Sequence, residues 1–268
     1  MQRVLDLDHY RTLVKDNKAR LGKVCSNCKV MSSAFAAPAA AGRLSFARHD
    51  NGLLVRVDEG GYATLYYYWR PGAPLPDLHD NVPLYVEETG ACDEQHQTWL
   101  AQAGLHIDKR NGQYVLERPA DACADHATDA GLVGCEFVRC VDEVLALKVV
   151  ALWERRLKVA DIPLEHREFL ATGDVVYCAL DEDGELAGAI WWQDAGKTRL
   201  MRHIVVDEHH ERRGIARALL SLCATDAWQT GKLRVSTWIS DTNAASIALH
   251  ERMGFRATSR VVWQFSLD

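Results

Sequence analysis

Residue types suited to phosphate binding gather between Ile204 and Arg217. Ile204-Val205-Val206 reads as the end of an apolar strand, and Asp207 opens a loop leading to Glu211-Arg212-Arg213-Gly214-Ile215-Ala216-Arg217 at a helix start. Such a turn presents unpaired backbone N–H groups and the positive end of a helix, which together favour a pyrophosphate. Gly214 would let the main chain come close, while Arg212, Arg213 and Arg217 add cationic donors. Taken alone, the stretch fits an ordinary helix start with a solvated basic turn equally well. Two imidazoles could move protons near neutral pH, His203 in the preceding strand and His250 further on. For each, a packed, hydrogen-bonded structural histidine is the competing reading. The neighbouring His209 and His210 read as solvated loop residues, with no further ligand spacing to make a metal site.

A second ordered stretch follows, Asn243-Ala244-Ala245-Ser246-Ile247-Ala248-Leu249-His250-Glu251-Arg252-Met253-Gly254-Phe255. With the first, it makes the sequence from about Glu136 to Asp268 resemble the GNAT superfamily of acyl-CoA-dependent N-acyltransferases. The family pattern is Gln/Arg-x-x-Gly-x-Gly/Ala after a valine-ending strand, then Asn, an apolar helix, an aromatic residue and Gly-Phe. The resemblance implies an α/β GNAT fold with a mixed sheet and acetyl-CoA as cosubstrate, with no metal. Its binding residues would be Ile204, Val205, Val206, Glu211, Arg212, Arg213, Gly214, Ile215, Ala216, Arg217, Asn243 and Ser246. It also implies direct acetyl transfer in a ternary complex to an amine on a small molecule or peptide.

Two positions depart from the pattern. Glu211 stands where the family prefers Gln or Arg, and Arg212 and Arg213 are expected to compensate its charge. His250 stands where many members carry a tyrosine that protonates the leaving thiolate, which makes it a candidate acid; His203 is the candidate base. His250 lies seven residues past Asn243, two helical turns on, so both face one side. These departures keep open an alternative, a non-catalytic acyl-CoA-binding regulatory module.

The elements that must position these residues are legible in outline. Glu136 to Val141 is a short strand, and Asp142 caps a helix whose apolar face is Val144, Leu145, Leu147, Val149, Leu152 and Trp153. Val175 to Leu180 and Leu186 to Trp192 flank a hairpin turn at Asp183-Gly184. Leu200 to Val206, a helix from Ile215, a strand from Leu233 to Ile239, a helix from Asn243 to Arg252 and a strand from Val261 to Leu267 complete the block. Trp191, Trp192 and Trp238 fall on strands, with core packing their default role.

The first half repeats this order weakly. Leu44 to Ala47 and Leu53 to Val57 flank Asp50-Asn51-Gly52, and Tyr62 to Trp69, Val82 to Val86 and a helix from Glu94 to Ala103 follow. Where a phosphate loop should stand, Arg70 to Asn81 has three prolines and no glycine motif. The expected organisation is a degenerate GNAT-like domain over 1–118 that lacks the CoA loop, a linker over 119–134, and the acetyltransferase domain over 135–268.

The chain has 268 residues and a net charge of −6, without the basic surplus that binds nucleic acid. No apolar run is long enough to span a membrane, and no secretory leader is legible at the start. The eight cysteines are scattered and read as free thiols in a reducing cytoplasm. Cys25-Ser26-Asn27-Cys28 has metal-ligand spacing, but no second pair completes a site.

Overall fold

The computed structural model describes residues 1–29, 32–78, 81–90, 92–119, 134–158, 161–162, 169–172 and 174–267. Contacts divide the chain into two units, Met1–Asn111 with Arg260–Asp268, and Gly112–Ser259. Two assignments differ from the expected boundaries. Residues 112–118 fall in the second unit, where the Arg118 N–H donates to the Leu233 carbonyl at 2.9 Å. Residues 260–268 fall in the first, because the last strand pairs there. Most of the expected linker, 120–133, lies outside the described residues.

The first unit contains β1 (Gln2–Arg3), α1 (Leu7–Leu21), β2 (Cys25–Ser26), α2 (Ala36–Ala40), β3 (Leu44–His49), β4 (Gly52–Asp58), β5 (Ala63–Trp69), β6 (Leu84–Thr89) and α3 (Glu94–Ala101). β7 (His106–Glu117) begins in this unit and ends in the second. The Asp50-Asn51 turn sets the β3–β4 register, with His49 opposite Gly52. Gly52 is required by close packing: a Cβ there would lie 2.2 Å from the Trp69 ring.

The second unit continues with β8 (Glu136–Arg139), α4 (Glu143–Arg156), α5 (Phe169–Thr172), β9 (Val175–Leu180), β10 (Leu186–Ala195), β11 (Thr198–Val206), α6 (Ile215–Gln229), β12 (Arg234–Ser240) and α7 (Ala244–Arg252). β13 (Arg256–Leu267) closes the chain, and its later residues pair antiparallel with β6, Val262 opposite Thr89 through Leu267 opposite Leu84. The strand order in the second unit is β7-β12-β11-β10-β9-β8.

Local chemistry explains these boundaries. The Asp142 carboxylate accepts the Leu145 N–H at 2.9 Å and starts α4, and Asn243 does the same for Ser246 at 3.0 Å in α7. Asp181 accepts the N–H groups of Asp183 and Glu185, which closes the β9–β10 turn around Gly184 at φ 76°. Alternation along β10 divides the core into two layers. Ile190 and Trp192 pack with Ile215 and Leu219 of α6, while Ala189 and Trp191 pack with Val149, Leu152 and Trp153 of α4. The face of α4 differs from the expectation. Ala146, Val149, Leu152 and Trp153 are buried, whereas Val144 and Leu147 are about 70% exposed. One helical stripe cannot contain both sets.

Candidate active site

β11 and β12 run parallel and hold register over three pairs, Thr198 with Arg234, Arg199 with Val235 and Leu200 with Ser236. Among the described residues, no further pair is in register between these two strands, although both continue. The other edge of β11 carries a bulge. Trp191 faces His203 and Trp192 faces Met201, which leaves Arg202 as the extra residue. A bulge bends and twists its strand. The divergence leaves main-chain N–H and C=O groups of β11 available to a ligand.

Arg199 holds the closed end of the split. It is 1% exposed. Its guanidinium donates to the Asp194 carboxylate at 2.9 and 3.2 Å, to the Asp226 carboxylate and to the Cys223 carbonyl at 3.3 Å. It also lies 4.8 Å from the centre of the Trp192 ring. α6, β10 and β11 are thereby fastened at one point.

At the open end, Gly214 takes φ 84° and ψ 0° and precedes α6, with no side chain capping the first turn. Arg212 also takes a positive φ, 61°. Such alternation turns successive amides toward a common anion position. α6 reaches this place by packing closely over β10: a Cβ on Gly188 would lie 3.0 Å from the Val205 carbonyl oxygen and 3.3 Å from Ile215. Nothing in the local sequence marks Gly188, because its neighbours lie elsewhere in the chain.

A cleft of about 790 Å³ lies at the open end, bounded by the end of β11, the start of α6 and the residues of α7. Of the expected cofactor residues, Ile204, Val205, Val206, Glu211, Arg212, Gly214, Ile215, Ala216, Arg217, Asn243 and Ser246 line it. Arg213 does not, and its guanidinium lies beside Gly134. Arg156, Leu157, His210 and Arg252 line the cleft and had no sequence signal for it.

The expected charge compensation takes a different form. The Glu211 carboxylate is bonded by Arg156, from the last turn of α4, rather than by its neighbours. Arg155 bonds Asp207 at 3.0 Å. Burial alone would raise the Asp207 carboxyl, but the His209 N–H and Arg155 hold it below its ordinary value. His210, expected in solvent, places Nε2 3.0 Å from the Asp181 carboxylate, while His209 remains exposed.

The two proposed proton carriers are not brought to this cleft. His250 is 0% exposed, its Nδ1 lies 2.8 Å from the Ser246 carbonyl oxygen, and its ring meets Phe255 edge-on at 5.0 Å. Burial pushes its pKa below the ordinary value. His250 is not among the residues that line the cleft. His203 is half-buried on the α4 face, between Trp153 at 5.6 Å and Trp191 at 5.5 Å. Trp191 and Trp192 are fully buried core residues.

The first unit has a parallel pair that separates in the same way, β5 and β6, in register only at Ala63 with Leu84 and Thr64 with Tyr85. Here the exposed edge is already taken. β2 pairs with Tyr68 and Trp69, and Asn27 donates to the Leu65 carbonyl at 2.9 Å and accepts the Tyr67 N–H at 2.8 Å. The Tyr67 hydroxyl bonds Glu88 of β6, and His96 of α3 lies 3.2 Å from both. The Cys-x-x-Cys segment therefore supplies a strand filler. Among the described residues, no group of three or more His, Cys, Asp or Glu side chains is arranged to hold a metal.

Residues 146–255 match the model of the acetyltransferase (GNAT) family. That stretch of the chain is thus similar to a GNAT domain. That family comprises acyl-CoA-dependent acyltransferases, and the cleft lies within the matched residues and their immediate neighbours. A search of curated proteins finds no match. Among solved structures, a tandem GNAT protein from the clavulanic acid biosynthesis pathway is 18% identical, with a TM-score of 0.52 over 81% of this chain and 78% of that one. A GCN5-related N-acetyltransferase from Sphaerobacter thermophilus is 12% identical, with a TM-score of 0.58 over 99% and 94%. One from Kribbella flavida is 13% identical, with a TM-score of 0.54 over 83% and 89%. These likenesses establish a GNAT fold over most of the chain, the tandem arrangement included. Among the described residues, no helix is long and apolar enough to cross a membrane.

Proposed function

We propose that the chain is an N-acetyltransferase that moves the acetyl group of acetyl-CoA to an amine of a small molecule or peptide. The observation that carries the reading is the convergence of three features on one cleft. They are the unpaired edge of β11, the uncapped start of α6 at Gly214, and Asn243 with Ser246 at the start of α7. The helix start and its arginines suit a pyrophosphate, and the β11 edge suits an amide-bearing arm that pairs like a strand.

In the proposed reaction the neutral amine attacks the thioester carbonyl, the C–N bond forms, and the C–S bond breaks to release a thiolate. Main-chain N–H groups near Val206 would hold the carbonyl oxygen as it gains charge. With His250 and His203 away from the cleft, the attacking amine's proton passes to water, and water protonates the thiolate. Catalysis belongs to residues 135–268, with 119–134 as linker and 1–118 as a degenerate domain without a CoA site. The free state of the described cysteines fits work in a reducing cytoplasm.

A second reading, a non-catalytic acyl-CoA-binding regulatory module, is favoured by the sealed position of His250. Incubating the full chain with acetyl-CoA and a panel of primary amines and peptides, then weighing the products, separates the two. An amine product heavier by one acetyl group supports the transferase; binding of acetyl-CoA without product supports the module.

A further inference from the structure

The loop that would receive a pyrophosphate carries the wrong charge for it. From Asp207 to Arg213 it holds three carboxylates, Asp207, Glu208 and Glu211, against two arginines, and Arg213 does not line the cleft. Left to itself, such a loop would repel a polyanion at close range. The structure corrects the balance from outside the loop. The last turn of α4 brings Arg155 to Asp207 at 3.0 Å and Arg156 to Glu211, with Arg156 Nη1 also 3.7 Å from Glu208. Of these two arginines only Arg156 lines the cleft.

We propose that Arg156 is a phosphate-binding residue of this cleft, and that it also covers the negative charge of Glu211. The proposal rests on reading the cleft as an acyl-CoA site. A guanidinium has five N–H donors in a planar fork, so one edge can hold a carboxylate while another meets a phosphate oxygen. The stem of Arg156 rises from the last turn of α4, so the helix itself places the head at the cleft. Glu211 is then tolerable beside a pyrophosphate because its charge is already paired.

The alternative is a purely mechanical latch in which the pair fastens the loop to α4. The two accounts differ in sign. If Arg156 binds phosphate, removing it loses a cationic contact and uncovers a carboxylate, whereas removing Glu211 takes away a negative charge and leaves the arginine to the ligand. If the pair is only a latch, either truncation breaks the same bond and harms binding alike.

The test is calorimetric titration of the full chain with CoA, using the wild type, Arg156→Ala, Glu211→Ala and the double variant. Both side chains are partly exposed, so folding should survive, and melting curves check it. Arg156→Lys is a milder variant that keeps the charge but loses the fork. The expected result is a Kd at least about tenfold weaker for Arg156→Ala, the order of one charge-assisted hydrogen bond. Arg156→Lys should fall between it and wild type. Glu211→Ala should bind as tightly as wild type or tighter, and Arg156→Ala should cost less in that background. Equal weakening by the two single truncations, or an unchanged Kd for Arg156→Ala, overturns the proposal. A wild type that binds no CoA overturns the underlying reading of the cleft instead.

Discussion

His250 Nδ1 lies 2.8 Å from the carbonyl oxygen of Ser246, one turn earlier on α7, so the ring donates its proton to the helix backbone. Ser246 lines the cleft, whereas the fully buried His250 ring does not.

His250→Phe is therefore expected to leave kcat within about threefold of wild type, whereas loss of a general acid typically costs about 10²-fold or more. The same substitution has a signature in pH. The folded ring has a depressed pKa, while the unfolded one titrates near ~6.5, so below that pH the unfolded chain binds more protons. The stability associated with the neutral ring is complete above ~6.5 and falls as pH decreases toward the folded pKa. Denaturant midpoints measured from pH 7 downward should fall less steeply in His250→Phe. An identical slope, or a collapse of kcat, contradicts the placement.

Arg199 governs where the cleft begins. Arg199→Leu should destabilise the chain by about 1.5–3 kcal/mol, the scale of a lost charge-assisted hydrogen bond, because it removes the buried guanidinium that joins Asp194 and Asp226 at the closed end of the split. Arg202→Leu is the control. That side chain is exposed and bonds Gln193 at 2.7 Å, so its loss should cost under about 1 kcal/mol. Urea unfolding of the two variants decides it. Comparable small losses would show that Arg199 does not hold the strands.

The parts of this architecture that the sequence makes legible are those written locally. Asp142 and Asn243 act within one helical turn, the turns at Asp50 and Asp181 act within a few residues, and Gly214 has its role at the residue where it stands. What was hidden depends on distant partners. Arg156 and Glu211 are 55 residues apart. Asn27 serves β5 from 40 residues away at Tyr67, so a strand filler looked like half a metal site. α1 buries only Tyr10, Leu13 and Asn17, a stripe too thin to register as a helical period. The pairing of β13 with β6 sets the last strand against one far back in the sequence, which no periodicity can announce.

The first unit should bind no CoA, since β2 and Asn27 already satisfy the edge that the ligand would use and Tyr67, Glu88 and His96 bridge the gap. Titration of the full chain should give one CoA per chain, and Gly214→Glu should abolish it. Two equivalents in the wild type, or one remaining in Gly214→Glu, would place a site in the first unit.

The most direct test of the central claim is steady-state release of CoA thiol by the full chain, with acetyl-CoA and a panel of primary amines. Glutamate in place of Gly214 puts a side chain and a negative charge where φ is 84° and the phosphates must approach, so it is the matched negative control. The account predicts thiol release that depends on the amine, saturates in acetyl-CoA and is lost in Gly214→Glu. Tight acetyl-CoA binding with no amine-dependent release, or release undiminished in Gly214→Glu, would contradict it.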